Sequence, residues 1–129
     1  MNGSEVMLDT NIVSAAIDQE SGVLSSLVGV SAIVPTIVLG ELYYGVYASS
    51  RIESNLQRME TLLAGFEILP CDEDTARHYG IIRAQLKKKG RPIPENDVWI
   101  AALALQHNLL LITRDQHFAV VDGLTVSAW

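Results

Sequence analysis

A single cysteine, Cys71, excludes an internal disulfide, and no Cys/His cluster has the spacing of a zinc site. The chain is therefore expected in a reducing compartment, the cytoplasm. The opening stretch, MNGSEVMLDTN, lacks a basic region before an apolar one and reaches Glu5 and Asp9 early, so no secretory signal is expected there. The longest run without a charged residue, Ser21 to Gly40, contains Gly22, Gly29, Pro35 and four serines. It reads as two buried elements and a turn, and no membrane association is expected. Basic residues are also in deficit, nine Lys plus Arg against fifteen Asp plus Glu, a formal charge of −6. Taken over the whole chain, that balance argues against a nucleic-acid partner.

What is present is core-forming material. With 49% hydrophobic and 19% charged residues over 129 positions, the composition excludes a disordered chain and fits one domain over residues 1–129. Short apolar runs rich in branched residues predict strands at Val6 to Leu8, Ala32 to Val34, Phe66 to Leu69, Leu109 to Ile112 and Leu124 to Val126. Helical stretches lie between them, at Asn11 to Ile17, Pro35 to Ala48, Ile52 to Ala64, Asp74 to Lys89 and Pro94 to His107. Asp72 or Glu73 can cap the fourth, Gly90 and Pro92 stop it, and Pro94 opens the fifth in its first turn. Runs that are apolar on both faces and joined through helices imply a three-layer α/β/α domain with a central, mostly parallel five-stranded sheet. Ligands of such sheets gather at the carboxyl ends of the strands.

Four acids fall at that edge. Asp9 follows the first strand and Asp115 follows the fourth, while Glu41 and Asp97 lie near the starts of two helices. Taken singly, Asp9 reads as a helix cap, Asp97 as a partner of a helix dipole and Asp115 as a turn residue. Glu41 interrupts an apolar helix, and a buried carboxylate without a partner is costly. Brought together, the four would form an all-oxygen site suited to Mg²⁺ or Mn²⁺. None of the histidines, His78, His107 and His117, is placed as a catalytic group, and each reads as structural.

Four segments carrying these acids resemble the motifs of the PIN-domain family, and more closely of its VapC-type toxin ribonucleases. They are Leu8-Asp9-Thr10-Asn11, Gly40-Glu41-Leu42-Tyr43-Tyr44-Gly45, the stretch from Arg91 to Ala102 around Asp97, and Leu111 to Phe118 around Asp115. The ending from Val121 to Val126 also fits, so the resemblance spans essentially the whole chain. It implies a Mg²⁺-dependent endoribonuclease, with Mn²⁺ as a substitute, whose metal ligands are Asp9, Glu41, Asp97 and Asp115. It further implies that Thr113 orients a ligand or water with Asn11 in support, and it implies a homodimer and a cognate antitoxin. Glu95 stands where that family often has a small residue, and either joins the site or caps the helix into solvent. The expected chemistry is hydrolysis of a phosphodiester by a metal-activated water, with no covalent intermediate.

The cations cluster as well. Arg83, Lys87, Lys88, Lys89 and Arg91 lie immediately before the helix of Asp97. They either complement a helix end or, with Arg114, grip the RNA backbone. Tyr43 and Tyr44 either pack in the core or stack on unpaired bases. Trp99 and the apolar run from Val98 to Leu105 exceed one buried face, which points to a second subunit. Two rival readings differ in class. An aspartyl phosphotransferase would need a second acid where Asn11 stands. A catalytically inactive PIN-like domain would only bind RNA or protein.

Overall fold

The structure is a computed structural model that describes residues 5–129. Its organising strand is β1 (Glu5–Leu8), whose Val6, Met7 and Leu8 are all buried. Apolar side chains on both faces leave no solvent side, so helices must cover the sheet above and below. Four further strands complete it: β2 (Ser31–Pro35), β3 (Glu67–Leu69), β4 (Leu110–Ile112) and β5 (Val126–Ser127). The order is β3-β2-β1-β4-β5, and every adjacent pair is parallel. Val6 lies opposite Ala32 on one side and Leu110 on the other, which fixes the register at the centre.

Between β1 and β2 run α1 (Thr10–Ile17) and α2 (Ser21–Leu27), and between β2 and β3 run α3 (Thr36–Tyr47) and α4 (Ile52–Leu63). From β3 the chain crosses through α5 (Glu73–Lys89) and α6 (Glu95–Gln106) to β4 on the far side of β1. Right-handed crossovers in these opposite directions place the first four helices on one face and the last two on the other. The strand order reverses between β1 and β4. That is where a parallel sheet opens a crevice at its carboxyl edge.

Several expectations need correction. The serine-rich stretch after Ser21 forms α2, of which only Val23 is buried, so it is a mostly exposed helix rather than a buried element. The last strand is Val126–Ser127 rather than Leu124 to Val126. Pro94 caps α6 from outside, and the helix starts at Glu95. The apolar run of α6 is accommodated within the chain: Val98 and Ile100 to Ala104 are buried, and Trp99 stacks on Tyr79 of α5 at 4.1 Å between ring centroids. That run therefore supplies no argument for a second subunit. Asp72 caps α5 through the Thr75 N–H, and Gly90 ends it at φ 66°, a left-handed conformation open to glycine. The reading of the amino terminus rests partly on Met1 to Ser4, which lie outside the described residues. Among those residues, no helix is long and apolar enough to cross a membrane.

Candidate active site

Asp9 is the residue on which the site is built. It is the first residue beyond β1, and its N–H donates to the Ile112 carbonyl of β4 at 3.0 Å, so both strand ends hold it over the crevice. One carboxylate oxygen accepts from the Thr10 N–H at 2.8 Å and caps α1. The other accepts from the Thr113 hydroxyl at 2.7 Å. The cap and the site acid are therefore one residue with two oxygens in different employment. Asp9 is only 5% exposed, and burial, the largest influence, raises its carboxyl above the usual range. The bonds from Thr113 and Thr10 oppose that rise, while the charge of Asp115 adds to it.

Asp97 reaches the same place from the first turn of α6 and Asp115 from the turn after β4. Burial again dominates for Asp97, raising its carboxyl, and the charges of Asp9 and Asp115 push in the same direction. Three acids from distant parts of the chain thus repel one another across a partly dehydrated crevice. Asp115 is fixed by its own N–H, which donates to the Thr113 hydroxyl at 3.0 Å, and by accepting from the His117 N–H at 3.0 Å. Thr113 therefore bonds both the Asp9 carboxylate and the backbone of Asp115. The side-chain oxygen of Asn11 accepts from the Arg114 N–H at 3.3 Å and ties α1 to the turn after β4.

Two residues at the site had no assigned part. The His117 ring nitrogen Nδ1 lies 3.2 Å from Asp97 and 3.0 Å from Asp115. The structural reading of His117 from sequence does not anticipate this contact: one atom each from Asp97, Asp115 and His117 lie within 4.8 Å of one another, a spacing at which the three could hold one ion. Thr10 is the second. Its hydroxyl donates to Glu41 at 2.8 Å, so the residue beside Asp9 also holds the fourth acid. Both lie inside quoted motifs, but their parts depend on contacts across 31 and 20 positions of sequence, which spacing does not reveal. His78 bonds the Asp74 carbonyl and His107 caps α6, both structural as expected.

Glu41, in the second turn of α3, stands between two clefts. One of about 250 Å³ includes Thr10, Ser14, Ile17 and Gly45 in its walls, and another of about 650 Å³ includes Thr10, Gly40, Tyr44 and Asn96. Glu95 does not join the acids. It is exposed, accepts from the Tyr79 hydroxyl at 2.8 Å and lies 3.5 Å from Arg83. The expected cationic grip divides in the structure. Arg83 is engaged with Tyr79 and Glu95, Lys89 with Asp122 and the Val120 carbonyl, and Arg114 with Glu20 and the Trp129 carbonyl. Lys87, Lys88 and Arg91 are exposed and form no ion pair among the described residues. Tyr43 is partly buried and donates to Glu60 at 3.0 Å, whereas Tyr44 is 76% exposed, so core packing fits only the first.

A parallel sheet with acids gathered where its strand order reverses holds them where sheets of this kind bind their ligands. The PIN domain family profile matches residues 6–124. Ribonuclease VapC5 of Mycobacterium tuberculosis is 37% identical over 121 residues, covering 91% of this chain and 87% of the relative. The crystal structure of VapBC2 from Rickettsia felis, bound to a DNA fragment from their promoter, superposes with a TM-score of 0.92 at 30% identity, covering 97% of this chain and 98% of that one. A member of the VapBC family of toxin-antitoxin systems, VapBC-5 of Mycobacterium tuberculosis, gives 0.76 at 32% identity with 97% of each chain covered. The chain belongs to the PIN domain family, in its VapC-type branch.

Proposed function

We propose that this protein is a divalent-metal-dependent endoribonuclease and the toxin of a toxin-antitoxin pair, with Asp9, Asp97, Asp115 and Glu41 as its metal-holding acids. The observation that carries this reading is the convergence of Asp9, Asp97 and Asp115 at the reversal of strand order, with burial and mutual repulsion raising the carboxyls of Asp9 and Asp97. Carboxylates kept this close without a counter-charge are unfavourable, and a +2 ion relieves all of them at once. The donors are mainly oxygen, which suits Mg²⁺, with Mn²⁺ as a substitute that also accepts the nitrogen of His117.

When bound, such an ion supplies an acidified water and offsets charge on the phosphate and leaving oxygen. The protein's own residues do the positioning. Thr113 holds the Asp9 carboxylate and the Asp115 backbone, and Thr10 holds the Glu41 carboxylate. His117 Nδ1 occupies the space between Asp97 and Asp115, so it either joins the donor set or gives up those contacts on metal entry. In the hydrolysis the water oxygen forms a bond to phosphorus, the bond from phosphorus to one ribose oxygen breaks, and that oxygen leaves with a proton.

An RNA substrate is supported by the similarity to Ribonuclease VapC5, and a cognate antitoxin by the similarity to the VapBC complexes. A homodimer belongs to the same reading as part of the resemblance to VapC-type toxins, and Trp99 does not argue for it. A cytoplasmic setting suits the free, exposed Cys71. The test is cleavage of structured RNAs with Mg²⁺, Mn²⁺ or EDTA by the wild type, Asp9→Asn and Asp97→Asn. We expect EDTA to abolish cleavage and each variant to lose at least about 100-fold, the scale on which loss of one transition-state electrostatic group is felt. A substantial rate in EDTA or in both variants would reject the metal-acid mechanism. An inactive RNA- or protein-binding domain would bind without cleaving under every condition.

A further inference from the structure

The cleft on the Tyr44 side of Glu41 has a construction that neither the fold nor the acid cluster requires. Gly40 lies in the interior of α3, where glycine destabilises a helix by roughly 0.5–1 kcal/mol relative to alanine. Its usual justifications are missing: its φ is not positive, and a Cβ built there would meet nothing within 4 Å. The space it leaves opens into the cleft that it lines with Glu41, Tyr44 and Asn96. Tyr44 is four residues further along the helix, hence on the same face, and helical side chains lean toward the amino terminus. The Tyr44 side chain therefore leans back over the turn that holds Gly40, and a long side chain at position 40 would occupy the open space of the cleft beside it. With glycine there, a large aromatic side chain, 76% exposed, borders open space beside a site acid.

We propose that Tyr44 is the stacking platform for an unpaired nucleobase next to the scissile phosphate, with Gly40 leaving the room for that base. The proposal rests on the nuclease reading and adds a specificity element to it. A planar base over the tyrosine ring gives affinity without regard to sequence, because every base has a stacking face. Asn96, in the first turn of α6 on the same cleft, offers an amide donor and acceptor for the edge of that base. Phosphate and base would then be read on different sides of Glu41: the phosphate at the acids, the base between Tyr44 and Asn96. Tyr44 acts here on binding and register, as a positioning residue.

The experiment is fluorescence anisotropy in EDTA with two labelled single-stranded probes, a mixed-sequence RNA 10-mer and an abasic ribose-phosphate 10-mer, alongside cleavage of the first probe in Mg²⁺. We expect Tyr44→Ala to weaken binding of the base-bearing probe about tenfold and to leave the abasic probe unchanged, with Tyr44→Phe close to wild type. Gly40→Leu, which keeps the ring but fills the space, should give the same selective loss with a thermal stability equal to or above that of the wild type. If Tyr44→Ala binds both probes as the wild type does, or loses equally on both, the stacking platform is overturned while the nuclease reading stands. A wild type that neither binds nor cleaves the RNA would overturn both.

Discussion

Asp9 shows how much one side chain can be asked to do. It ends β1, caps α1, accepts from Thr113 and belongs to the acid cluster, and its burial makes the charged form costly. Both Asp9 and Asp97 have folded-state carboxyls raised above the ordinary 3.8. A raised carboxyl means that the folded state binds more protons than the unfolded state between the two values, so the contribution of that group to stability is greatest below the ordinary 3.8 and is lost as pH rises through the folded-state value. These two carboxyls should therefore make the metal-free protein lose stability as pH rises above the ordinary carboxylate range toward neutrality. Mg²⁺ at about ten times its dissociation constant should restore about 1.4 kcal/mol at pH 7, roughly 4 °C in melting temperature. Asp97→Asn should flatten the pH dependence and weaken the Mg²⁺ effect, as differential scanning fluorimetry can show. The four acids are legible in the sequence because each sits in a motif after a strand or at a helix start. His117 is not, since its approach to Asp97 and Asp115 depends on how the turn after Asp115 winds into a short 3₁₀ helix. Tyr43 and Tyr44 are adjacent and chemically alike, and only the rotation of α3 decides which one faces Glu60 and which faces solvent.

At the scale of elements, the strands and all helices but one follow from apolar runs and caps. The capping of α5 by Asp72, closed at the other end by Gly90, is written in residue type alone. The exception, α2, has too few apolar residues to show a helical period: SGVLSSL buries one side chain, and serine and glycine favour turns in isolation. The cationic end of α5 is a divided element. With Lys89 committed to Asp122, the residues left to meet a phosphate backbone are Lys87, Lys88 and Arg91. Replacing those three with alanine should lower the slope of log affinity for single-stranded RNA against log salt by about 2, at about 0.7 per contact. Folding should be unaffected, since none is buried. An unchanged slope would assign these residues to the solvated end of the helix.

For the molecule as a whole, the sheet order gives the charge its meaning. A balance of −6 is hostile to RNA only while the acids are spread evenly, and the order β3-β2-β1-β4-β5 collects Asp9 and Asp115 from neighbouring strands and Asp97 from α6 at one edge. Under the proposed function, acidity concentrated in this way is the seat of a divalent cation that would in turn attract phosphate. The most direct measurement of that account is mass spectrometry of the RNA ends produced by the purified protein in ¹⁸O-labelled water, with Mg²⁺ and with EDTA. Attack by an activated water predicts one ¹⁸O in each newly formed terminal phosphate, no 2′,3′-cyclic phosphate, and no product in EDTA. A cyclic phosphate among the products, or the same products in EDTA, would contradict it.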